Sequence, residues 1–365
     1  MKKIFAAGAL ALAGLFLFGG CAAQASLAFS ANWQSGTAYQ SDYYEKLTYK
    51  LSLDDEKASG NLVFEPDEEN SSYTVETQIV SFNSTYQDKT YPTVYKLTST
   101  LVLAGSYKIR ETGETVVAFG GENDSAESPF DDASVIVSTV YFRTLQSRDN
   151  NLEPIHSEKS VYSFSPAGGD VNTTDVELFS YTVRTDYNES CTSAVVLRED
   201  NFGDLTDAER EVSEHLSVPR LQNAGTEKKV KNIGSAGTPV DEAQVLFAGR
   251  GMTFAANSAN VLSVVNENGA STAVTYSCAK IETVKGTFTL DGKDTSEADI
   301  SVAQVTLYAS GAGSYAGPYK EVHYAQKVAG GVNTYYNLPV LYRDTLSHAM
   351  GTVVYTLADA THTAA

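Results

Sequence analysis

From Leu47 onward the chain repeatedly alternates apolar and polar side chains with a period of two. Leu47, Tyr49, Leu51 and Leu53 alternate with Thr48, Lys50 and Ser52, and a pleated strand is the element that gathers such a set on one face. The pattern returns at Tyr73-Val75-Thr77-Ile79, Phe179-Tyr181-Val183, Phe288-Leu290 and Val353-Tyr355-Leu357. Turn-forming clusters punctuate these runs: Glu65-Pro66-Asp67, Ala167-Gly168-Gly169-Asp170, Asp291-Gly292 and Gly330-Gly331. The 22 tyrosines and frequent Thr and Val agree with strand propensity. One polar face per strand favours antiparallel pairing. The expected fold is therefore mainly β, with enough long strands to curve a sheet.

Three stretches interrupt the alternation. Thr206-Asp207-Ala208-Glu209 has the spacing of a capping box ahead of Arg210 to Leu216 and predicts a surface helix. Thr238-Pro239 followed by Asp241 and Glu242 reads as a helix start, running to about Ala248 and stopped by Gly249. Asp131 to Leu145 opens with acids but carries Val135-Ile136-Val137 and Val140-Tyr141-Phe142, so helix and strand are equally open. The last two stretches share an acid pair, an apolar run with phenylalanine and an arginine, Arg143 or Arg250. That likeness raises the expectation of a duplicated architecture.

The amino terminus reads in the order of an export signal: Lys2 and Lys3, an uncharged stretch from Ile4 to Phe18, then Gly19-Gly20-Cys21. The stretch falls short of the roughly 20 residues that span a bilayer. Leu17 to Cys21 resembles the lipobox of bacterial lipoproteins, which implies diacylglycerol on Cys21 after cleavage. Ala23-Gln24-Ala25 offers ordinary secretion as the rival. The expected division is a signal peptide over 1–20, a flexible tether over 21–41 and a folded body over 42–365. The body is one lobe or two lobes meeting near 200–235.

Charge and cysteine content narrow the function. The chain carries 45 acidic against 26 basic side chains, which argues against nucleic acid, whose phosphates would be repelled. It also argues against an anionic bilayer binding the protein surface. Apart from Cys21, only Cys191 and Cys278 are present. They allow one disulfide, stabilising by about 4–5 kcal/mol on the chain-entropy model, or two buried thiols; the sequence leaves both open.

No catalytic motif is evident. His156, His215, His323, His348 and His362 include no helical metal pair. Ser314 lacks the nucleophile-elbow pattern, and Gly311 to Gly317 reads as a hairpin loop rather than a phosphate cradle. Asp291, Asp294, Glu297 and Asp299 lack the alternation of a calcium loop. No cofactor is implied, and the chain reads as a non-enzyme.

Long strands, short acid-started segments and strands again resemble the LolA- and LppX-type half-barrel lipoproteins, close to their uncharacterised exported members. Asp132 through Arg143, Asn151-Leu152-Glu153-Pro154-Ile155, Asp241 through Arg250 and Gly351 through Leu357 carry the resemblance. It implies a strongly curved antiparallel half-barrel sheet (α+β) with a few short helices in its concave face and an apolar hollow that holds acyl chains. The function it implies is a lipid-anchored, extracytoplasmic binder of a lipid or other hydrophobic ligand, with the membrane reached through the lipid on Cys21. No protein partner and no ligand-binding residues can be named from the sequence. A cell-envelope interaction module with a filled core and an unrecognised hydrolase are the alternatives. An empty volume between helix and sheet would separate them.

Overall fold

The computed structural model describes residues 43–125, 130–143, 152–168, 170–310, 320–331, 333–346 and 349–363. The leader, the tether and Cys21 lie outside the described residues, as do His348 and the glycine-rich 311–317.

Among the described residues twenty strands make one sheet. In chain order they are β1 (Tyr44–Asp54), β2 (Leu62–Ser84), β3 (Lys89–Ile109), β4 (Thr115–Phe119), β5 (Ser134–Arg143), β6 (Pro154–Pro166) and β7 (Val176–Tyr187). Next come β8 (Ser193–Asp200), β9 (Glu211–Ser213), β10 (Leu216–Ser217), β11 (Lys228–Lys231), β12 (Thr238–Asp241), β13 (Ser258–Val265) and β14 (Ser271–Lys285). The last are β15 (Thr289–Leu290), β16 (Lys293–Asp294), β17 (Asp299–Ser310), β18 (Lys320–Ala329), β19 (Thr334–Thr345) and β20 (Thr352–Thr363). Following the ladders, the main order is β12, β13, β14, β17, β18, β19, β20, β1, β2, β3, β5, β6, β7, β8, β11. All these pairs are antiparallel except β12 with β13. The sheet thus has the mainly antiparallel, curved character the alternation predicts.

The first and last strands come together without pairing. Residues 232–237 cross from β11 at one edge to β12 at the other, and side chains bridge the gap. Ser263 Oγ accepts the Gly234 amide at 3.1 Å, and Lys228 Nζ donates to the Asn268 carbonyl at 2.7 Å. Val230, Ile233 and Val265 bury into one apolar cluster across the seam. Residues 200–235, the expected meeting point of two lobes, lie along this edge.

Bends come from local irregularities rather than from strand ends. Glu65-Pro66-Asp67, expected as a turn, lies inside β2, where the register slips between Asp67 and Ser72. Asp67 Oδ1 accepts the amides of Glu69 and Asn70 and so closes a bulge within the strand. Opposite Pro66 stands Gly105, where a Cβ would collide with the Glu65 carbonyl. Beyond it β3 leaves β5 and pairs β4.

The three interrupting stretches resolve differently. The capping box at Thr206 and Glu209 forms, but its helix α1 (Asp207–Arg210) lasts one turn. Arg210 is pulled inward to donate to the carbonyls of Leu205, Val218 and Pro219, and the chain then pairs as β9 and β10 instead of continuing as a helix. Thr238-Pro239 is strand β12 rather than a helix start; proline is tolerated on this edge strand, where no amide is needed. Asp241 takes the cap position, accepting the Ala243 amide while Gln244 Oε1 accepts the Asp241 amide. A helical segment follows over 242–251, with α2 (Val245–Ala248) at its centre. Within the stretch Asp131 to Leu145, Ser134–Arg143 becomes strand β5, as its β-branched content allows, and 144–145 lie outside the described residues. One stretch is strand and the other helix, so the expected duplication is one of pattern only.

The 242–251 segment plugs the concave face of the sheet. Val245, Phe247, Ala248 and Arg250 are buried among residues of β1, β3, β14, β18 and β19. Tyr276 and Tyr324 donate their hydroxyls to the carbonyls of Val245 and Leu246, at 2.6 and 2.9 Å. Asn337 Nδ2 donates to the carbonyls of Arg250 and Met252. A second apolar cluster, around Phe64, Phe119 and Phe164, fills the far end of the long strands. No helix among the described residues is long and apolar enough to cross a membrane.

Candidate functional site

Strand register sorts the inward side chains into rows across the concave face. One row runs Tyr49, Tyr73, Leu101, Ile136, Val161, Tyr181 and is apolar. The next runs Leu47, Val75, Ser99, Ser138, Lys159, Val183, and a third runs Glu45, Thr77, Leu97, Val140, Ser157, Thr185. Ser99 faces Ser138 across the ladder and Ser138 faces Lys159. Small hydroxyl side chains in the middle of a sheet otherwise built of large residues leave space unfilled.

That space is a cavity of about 200 Å³ between the helical plug and strands β1, β2, β3, β5, β6 and β7. Val245, Leu246 and Phe247 wall it on the plug side, and Leu47, Val75, Leu97 and Leu101 on the sheet side. Its size exceeds the ~150 Å³ of an engineered apolar cavity that binds benzene. It falls below the ~300–1,000 Å³ of pockets that enclose a drug-sized ligand.

Polar groups stand at both ends. At one, Lys159 Nζ pairs with Glu267 Oε2 at 2.6 Å, and Tyr181 donates its hydroxyl to Glu267 at 3.1 Å. Burial would lower the Lys159 ammonium, but Glu267 and Glu242 outweigh it and hold the group above the usual lysine range. Burial would raise Glu267, and Lys159 with Tyr181 holds it below the usual carboxylate range instead. Beside them the buried Asp241 Oδ2 accepts the hydroxyls of Ser157 and Tyr187, each at 2.6 Å, and burial raises its carboxyl despite these bonds. At the other end Lys320 pairs with Asp344 at 2.9 Å, and Tyr342 donates to Asp344 at 3.0 Å. Deeper still, Arg250 forms a fully buried pair with Glu45 through both terminal nitrogens.

The residues singled out in the sequence fall elsewhere. Cys191 and Cys278 are both free, buried thiols, so the disulfide alternative is not realised. Cys191 packs with Val183 and Tyr187, whereas Cys278 packs in the main core, so each serves a separate cluster. Burial raises both thiols. The acids Asp291, Asp294 and Asp299 disperse: Asp291 accepts the Tyr335 hydroxyl at 2.6 Å, Asp294 the Ser296 amide, and Asp299 pairs with Lys285. Among the described residues no group of three or more His, Cys, Asp and Glu side chains is placed to hold a metal ion.

One pair that the sequence did not single out is His156 with Asp186, adjacent across the β6–β7 ladder and 2.7 Å apart. Phe82 stacks on the imidazole at 5.5 Å. His156 Nε2 meets Glu158 at 3.1 Å, so both ring nitrogens are committed to carboxylates and neither is free to activate a nucleophile. Its strand neighbour Ser157 points the other way, to Asp241. Only the small inward residues Ser99, Ser138 and Ser157 could have marked the cavity in the sequence, and hydroxyls are common in strands.

No protein-family model matches the chain. No curated protein matches it. Among solved structures, a β-barrel-like protein of domain of unknown function DUF1849 from Brucella abortus is similar at 10% identity, with a TM-score of 0.41. That likeness covers 88% of this chain and 98% of the other.

Proposed function

We propose that this protein is a non-catalytic binder of a small apolar ligand, or of the apolar end of a larger one, in the cavity between the helical plug and the curved sheet. The observation that carries the reading is the cavity itself: an apolar wall on both sides, formed where Ser99 and Ser138 stand in place of large core residues. Its volume favours one ring or a short chain over a whole acyl lipid. The sequence supports an extracytoplasmic location, with a lipid on Cys21 anchoring the chain to a membrane. Two acyl chains at one cysteine would meet the two-signal requirement for stable anchoring.

Native mass spectrometry of the protein purified from its host tests the binding. A co-purifying small molecule that is lost in Ser138→Phe, which places a ring across the hydroxyl row, supports the reading. Consistent absence of any bound mass, with wild type and variant equally stable, counts against it. The anchor is tested separately: Cys21→Ser moves the protein from the membrane fraction to the soluble fraction, and retention on the membrane refutes lipidation.

A further inference from the structure

The charges on the cavity wall specify the polar end of the ligand, an argument that rests on the cavity being a binding site. Three cations line the cavity, Lys159, Lys320 and Arg250, and each already has its own carboxylate: Glu267, Asp344 and Glu45. An anionic headgroup would have to displace one of these internal partners and leave it unpaired in a partly desolvated site, which is costly.

Glu242 is placed differently. It also lines the cavity, and its Oε2 accepts the Glu267 backbone amide at 3.3 Å. Among the described residues no lysine, arginine or histidine nitrogen lies within ion-pair distance of it; Lys159, the nearby cation, pairs directly with Glu267 and feels Glu242 only through space. A cation can therefore meet Glu242 without displacing a direct ion-pair partner, and Ser138, across the ladder from Lys159, offers a further acceptor on the floor. We propose that the cavity selects an apolar body bearing a protonated amine, with Glu242 as its counter-charge.

Isothermal titration of the purified full-length chain at about pH 7 compares n-hexylammonium, n-hexanol and hexanoate, three probes that share one apolar body and differ in head charge. Hexylammonium is expected to bind about tenfold or more tighter than hexanoate, with hexanol between them. Glu242→Gln should remove most of the preference for the amine and leave hexanol nearly unchanged. Glu267→Gln, which releases Lys159, should raise the affinity for hexanoate. Hexanoate binding as tightly as hexylammonium, or an amine preference that survives Glu242→Gln, overturns the charge assignment while the cavity reading stands. Failure of all three probes, hexanol included, overturns both.

Discussion

The buried pair of Glu45 and Arg250 ties the helical plug to β1, and removing either member measures what that tie contributes. Their side chains are 3% and 1% exposed, in the order Glu45 and Arg250, and Arg250 cannot be deprotonated to relieve an unmatched charge. Glu45→Leu leaves a guanidinium in the core with no counter-charge; Arg250→Met leaves a carboxylate. Breaking a buried pair by removing one partner costs about 3–5 kcal/mol. In a chain of 365 residues each kcal/mol moves the melting midpoint by about 2 °C, the low end of the range for smaller domains. Each single variant should therefore melt about 6–10 °C below wild type. The double variant, with two apolar residues of similar shape, should melt above either single one, because no charge is stranded. Thermal unfolding followed by circular dichroism reads all four proteins. Single variants within about 2 °C of wild type, or a double variant at the sum of the two losses, would refute the argument that the pair is electrostatically coupled.

Gly249 lies under the Tyr324 ring, where a Cβ would fall inside contact distance of the ring and its hydroxyl. Gly249→Ala should therefore destabilise by about 1–3 kcal/mol in urea unfolding, although its α conformation favours alanine; a gain in stability would overturn the packing argument. Burial alone would lower the His156 imidazole, but the bonds to Asp186 and Glu158 outweigh it and hold it above the usual histidine range. A raised folded value means that the stabilisation is complete below about pH 6.5 and fades as pH rises through the folded value. The stability difference between wild type and His156→Gln should shrink on going from mildly acidic to alkaline solution, and one that widened would reverse the assignment. Cys191 and Cys278 should resist thiol reagents until the protein is denatured, and reductant should leave the melt unchanged; a reductant-sensitive midpoint would restore the disulfide.

The strands were legible because alternation is a local property. Leu47, Tyr49 and Leu51 face inward whatever β1 pairs with, and their burial follows from the period of the pleat. Local chemistry misled where tertiary demands were stronger. The box at Thr206 formed but was cut to one turn once Arg210 found carbonyls inside the fold. Pro66 reads as a turn in isolation, yet the long β2–β3 ladder absorbs it as a bulge. Of the cavity almost nothing was legible: Ser99, Ser138 and Lys159 share one row, but each sits in a separate strand with its own unremarkable context.

By itself the sequence settled that this body is a pleated, mainly antiparallel structure, since period-two patterning commits each segment to strand before any partner is chosen. Which strands adjoin, where the plug lodges and what it leaves empty belonged to the tertiary structure alone. Glu45 and Arg250 are 205 residues apart, and Asp241 meets Ser157 across 84. Such meetings depend on the register and curvature of ladders that form only when the whole sheet closes on its plug.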